Sequence, residues 1–116
     1  MNDDDQLPPQ IGPLQLRVMH AIWRQQVDTV FDVARVLNAQ PGVQQLAYTT
    51  FLTVMRNLVR RGLLRQEKTG AGKAHRFYAL QDEATYKTAF IRRIVEDYCD
   101  GDPAQLARYA ATARVD

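Results

Sequence analysis

The chain has 116 residues, which suits one domain, or one domain plus an appended element; 46% hydrophobic residues are enough for a packed core, and 24% charged residues are expected of a soluble protein. No apolar run approaches the roughly 18 residues of a membrane span, and the acidic MNDDDQLPPQ lacks the apolar stretch of a signal peptide. The expectation is therefore a cytoplasmic, bacterial-type protein with no membrane insertion.

The net charge of +2 matters less than its distribution. Between Ala47 and Leu80 stand seven basic residues (Arg56, Arg60, Arg61, Arg65, Lys68, Lys73 and Arg76) against a single acid, Glu67, while the rest of the chain is net acidic. That asymmetry is the electrostatic footprint of a surface that meets a polyanion.

Residues 1–10, with three consecutive aspartates and Pro8-Pro9, read as a disordered lead. A first helix is expected from about Pro13 to Gln25, since Leu14, Val18, Met19, Ile22 and Trp23 share one side and Arg17, His20 and Arg24 the other. Pro13 suits a first helical turn. A second helix starts at TVFD with Thr29 as N-cap and Asp32 in a short capping box. Val30, Val33, Ala34 and Leu37 form its stripe, and Asn38 and Pro41-Gly42 end it. With few charges to offer a partner, it reads as a packing element.

The third helix carries the functional signal. At about 100° per residue, Thr49, Thr50, Thr53, Arg56, Asn57 and Arg60 share an arc of roughly 120°, opposite Phe51, Leu52, Val54, Met55, Leu58 and Val59. An ordinary solvated face would mix acids with bases for i,i+4 pairing; this one has no acid. Short hydroxyl and amide side chains allow close approach to base edges, the threonine methyl suits thymine, and arginines reach phosphate or guanine.

Gly62 reads as a helix C-cap. LLRQEK and AHRFYAL then read as two strands joined by TGAGK in a hairpin. GAGK is not a P-loop: the GxxxxGK[ST] spacing is missing, Ala74 occupies the hydroxyl position, and no helix follows. A basic tip with Lys68, Lys73 and Arg76 suits phosphate contact better.

Residues 82–98 return to a helix capped by Asp82, with an apolar stripe of Phe90, Ile91, Ile94, Val95 and Tyr98. After DGDP, Asp102 caps and Pro103 opens a last helix bearing Leu106, Tyr109 and Ala110. So much apolar surface beyond a small finished core points to a partner subunit or, alternatively, to one extended core. Cys99, the lone cysteine, can form no internal disulfide and is expected as a small buried apolar residue. His20 and His75 have no carboxylate pattern around them, so neither a metal site nor a cofactor is expected. No Ser/His/Asp, Cys/His or paired-carboxylate constellation is available either, which argues against an enzyme.

Helix, helix, polar-faced helix and basic hairpin are the order of a winged helix-turn-helix. The expected architecture is mainly α with a small β-hairpin: a DNA-binding domain over 11–81, then a helical dimerisation region over 82–116. VMHAIW, AYTTFLTVMRNLVRRGLL and HRFYAL strongly resemble the BlaI/MecI/CopY family of bacterial repressors, which includes penicillinase regulators, over about Ile11 to Tyr109. The AYTT-xx-TV-xxx-L-xxx-G-L-L pattern is the most specific part.

The resemblance implies a transcriptional repressor that binds a short inverted-repeat operator as a homodimer. Its third helix lies in the major groove, its wing on the backbone and its C-terminal helices at the dimer interface. It also implies base-facing roles for Thr49, Thr50 and Thr53, with Arg56 and Arg60 nearby. In the penicillinase branch, a membrane-bound sensor protease triggers cleavage of the repressor. This sequence lacks the Asn-Phe cleavage dipeptide of the best-known members, with Ala89-Phe90 the nearest counterpart. It also lacks the cysteine pairs of the copper branch, and its shorter last helix implies a smaller dimer interface. The inducing signal therefore does not carry over. A winged-helix module whose basic face meets an acidic protein is the alternative.

Overall fold

The computed structural model describes residues 11–69 and 74–113, which form five helices and one hairpin. They are α1 (Pro13–Gln25), α2 (Val30–Asn38), α3 (Tyr48–Arg60), β1 (Leu64–Thr69), β2 (Ala74–Ala79), α4 (Glu83–Tyr98) and α5 (Pro103–Thr112). The packing separates into two compact units that divide between Glu83 and Ala84.

In the first unit α1, α2 and α3 pack on one another. The core is built from the apolar stripes: Val18, Met19, Ala21 and Ile22 of α1, Val30, Val33 and Leu37 of α2, and Phe51, Met55 and Leu58 of α3. Leu63, Leu64 and Phe77 extend this core to the hairpin. Trp23 is only half-buried, and its indole Nε1 donates to the Gln81 carbonyl at 2.9 Å.

The element ends follow side-chain chemistry. Pro13 occupies the first turn of α1. The Thr29 hydroxyl accepts from the Asp32 amide at 3.1 Å, while the Asp32 carboxylate pairs with Arg35 at 3.5 Å. Gly62 closes α3 with φ +82°, a left-handed conformation that glycine adopts without Cβ strain. Its amide donates to the Val59 carbonyl and that of Leu63 to Leu58, the paired bonds of a Schellman motif.

Asn38 fixes the connection between α2 and α3. Its side chain donates to the Leu46 carbonyl and accepts from the Leu46 amide, both at 3.0 Å, so one amide group pairs like a short strand with the start of α3. β1 and β2 pair antiparallel with Leu64 opposite Ala79, Gln66 opposite Phe77 and Lys68 opposite His75. The Phe77 amide also donates to the Asp28 carbonyl at 2.8 Å, which ties the α1–α2 connection to the wing.

In the second unit α4 buries Tyr86 and Val95, and the rings of Tyr86 and Phe90 stack with centroids 6.4 Å apart. Cys99 is buried. Asp102 caps α5 through its carboxylate, which accepts from the Ala104 amide at 2.9 Å, and Pro103 opens the helix. No residue of α5 is buried. No helix among the described residues is long and apolar enough to cross a membrane.

Candidate nucleic-acid interface

The helix-turn-helix holds α3 through Phe51, Met55 and Leu58, and this anchoring decides which residues face outward. Thr49, Thr53, Arg56 and Arg60 are exposed, whereas Thr50 and Asn57 are half-buried at the arc's edge. The Asn57 side-chain oxygen accepts from Gln15 of α1 at 3.4 Å, so this amide is partly used within the domain. Ala47 offers no side-chain cap to α3, and its first turn holds no acid. The positive end of its dipole is therefore not offset by a carboxylate.

The wing divides its charges between two faces. On one, Arg65 lies over the Tyr78 ring, 4.6 Å from the centroid, and pairs with Glu67. Arg76, adjacent on that face, pairs with Asp28 at 2.7 Å, so its guanidinium has a partner inside the domain. Lys68 is exposed on the other face, and Arg56, Arg60 and Lys68 make no ion pair among the described residues. Lys73 and the GAGK turn lie outside the described residues.

The arrangement provides short hydroxyls at the start of an outward-facing helix, free guanidinium groups along it and a lysine on the flanking hairpin. Among the described residues no buried side-chain polar group is left without a partner, and no cluster of three or more His, Cys, Asp or Glu could hold a metal. At the end of α1, Glu83 pairs with Arg24 at 2.6 Å and lies 3.9 Å from His20. The hydrogen bond and charge of Glu83 hold the Arg24 guanidinium above its ordinary range.

A family profile described as penicillinase repressor matches residues 11–114, nearly the whole chain. The chain belongs to the penicillinase repressor family. The fold is similar to that of a solved protein: the PcaV transcriptional regulator from Streptomyces coelicolor, solved with its natural ligand, superposes with a TM-score of 0.51 at 17% identity. That match covers 96% of this chain and 82% of the other. Individual curated proteins gave no significant sequence match. As a member of the penicillinase repressor family, the chain is a transcriptional repressor rather than an enzyme.

In the C-terminal unit the residues singled out for dimerisation differ in exposure. Tyr98 is 77%, Tyr109 63% and Ile91 43% exposed, Phe90, Ile94 and Leu106 are half-buried, and Val95 is buried. Val95 thus offers little surface to a partner. Ile91, Val95 and Leu106 line a groove of about 550 Å³ between α4 and α5.

Proposed function

We propose that the protein binds a short inverted-repeat DNA operator as a homodimer. In this reading α3 lies in the major groove, with Thr49, Thr50 and Thr53 near base edges and Arg56, Asn57 and Arg60 alongside. Lys68, with Lys73 and Arg76, serves the wing on the backbone, and α4 and α5 provide the subunit interface.

The observation that carries this reading is the acid-free exposed arc of α3 on a winged-helix frame, in a chain of the penicillinase repressor family. Arg76 enters with reduced weight because Asp28 already pairs it. The dimer rests on α5. A ten-residue helix is shorter than the roughly 12–15 residues at which isolated helices become even marginal, so tertiary or subunit packing must sustain it. None of its residues is buried in the single chain.

Selection from a randomised duplex pool tests the function directly. The expected result is enrichment of an inverted repeat bound far more tightly than random duplex, with affinity falling steeply as salt rises. Equal weak binding to all duplexes, with salt-dependent capture of an acidic polypeptide instead, would favour the interaction-module alternative.

A further inference from the structure

The winged-helix unit leaves two large aromatic side chains in solvent that its core does not use. Phe31, in the first turn of α2, is 66% exposed, and Tyr48, the first residue of α3, is 51% exposed. Both line one cleft of about 250 Å³ between α2, α3 and the wing, together with Arg56, Gln66 and His75. Phe77 contributes a buried apolar floor.

Three features indicate what this cleft accepts. Its lining contains no carboxylate but does contain the Arg56 guanidinium, and Lys68 stands opposite His75 in the ladder beside it. It is continuous with the arc of α3, because Arg56 belongs to both. Its walls pair aromatic faces with hydrogen-bond donors, which suits a ligand with an apolar ring next to an anionic group. A sugar–phosphate strand has that alternation, and most protein–DNA hydrogen bonds go to such backbone groups.

We propose that this cleft receives one sugar–phosphate strand of the duplex, with the rings of Phe31 and Tyr48 against deoxyribose and the Arg56 guanidinium on the adjoining phosphate. The proposal rests on the reading of α3 as the DNA-facing helix. It makes α2 a contributor to the interface and gives Phe31 and Tyr48 a positioning role that does not depend on base sequence.

The test uses the full chain, an inverted repeat selected by the wild-type protein, and a random duplex of equal length. Phe31→Ala and Tyr48→Ala should each weaken binding to both duplexes by a similar factor, about tenfold. Selectivity between the two should be preserved. Single methylphosphonate replacements scanned along each strand keep the test independent of folding. At least one should weaken the wild-type complex yet add no further loss to Arg56→Ala. Failure of the wild type to select any duplex would sink the functional reading itself. Wild-type selection with unchanged binding by both aromatic variants would overturn only the cleft proposal. So would a loss confined to particular base pairs, or the lack of a phosphate coupled to Arg56.

Discussion

Thr53 and Lys68 sit on two surfaces that physical chemistry assigns to different tasks. Thr53 is exposed early on α3, short enough to approach a base edge, while Lys68 is exposed on the wing, where a flexible cation suits phosphate. Thr53→Ala should cost on the order of 1 kcal/mol of discrimination at particular operator positions and leave the salt dependence unchanged. Lys68→Ala should weaken selected and random duplexes alike and lower the slope of log K against log salt by about one per lost contact in each subunit. If both variants lower all affinities equally, α3 is not the element that reads sequence. Asp28 and Arg76 give a case of opposite sign. Asp28 occupies Arg76 at 2.7 Å, so Asp28→Asn removes a negative charge and releases a guanidinium beside the wing. Binding to random duplex should tighten and its salt slope steepen. An unchanged slope in titrations across salt concentrations would show that Arg76 does not reach DNA even when released.

The helices and strands were legible where the chain marks its own punctuation. Pro13, Thr29, Gly62 and Asp102 each stand at the boundary that their backbone chemistry favours, and the structure ends its elements there. Gly62 also supplies a stability test. At φ +82° nothing lies within 4 Å of an added Cβ, so Gly62→Ala meets backbone strain rather than a clash. The expected loss is about 1–2 kcal/mol in denaturant unfolding. Gly62→Asn should lose less, because asparagine tolerates the left-handed region. Equal losses would mean that the cost lies in something other than φ. What escaped the sequence reading were pairings across long separations. Asp28 and Arg76 are 48 positions apart and Arg24 and Glu83 59 apart, and no local periodicity records such encounters. Asn38 was legible as a helix end, but not as the clamp on Leu46. Phe31 escaped for another reason: it falls off the apolar stripe of α2, and the few charges of that helix made it read as a packing element.

The exposed apolar residues of α4 and α5 belong to the scale of the proposed assembly. Tyr98, Tyr109 and Ile91 expose apolar surface, Ile91 also lines the groove between the two helices, and no residue of α5 is fully buried within the chain. In the proposed homodimer a second copy of the same unit would cover that surface through an isologous contact, the symmetry that an inverted repeat shares. Because Val95 is already buried, a substitution there would damage the folded unit and say little about association. Ile91 and Tyr98 are the better probes, since both side chains reach solvent. Replacing both with Asp places charge in the proposed interface while removing little from the core. Sedimentation should show the wild type as a dimer at tens of micromolar, about the range where a specific interface of modest size is occupied. The double variant should be a monomer with unchanged helical content that binds one half-site weakly and has lost the preference for a correctly spaced pair. A wild type that sediments as a monomer at that concentration would remove the dimer. A double variant that stays dimeric would place the interface elsewhere on the chain.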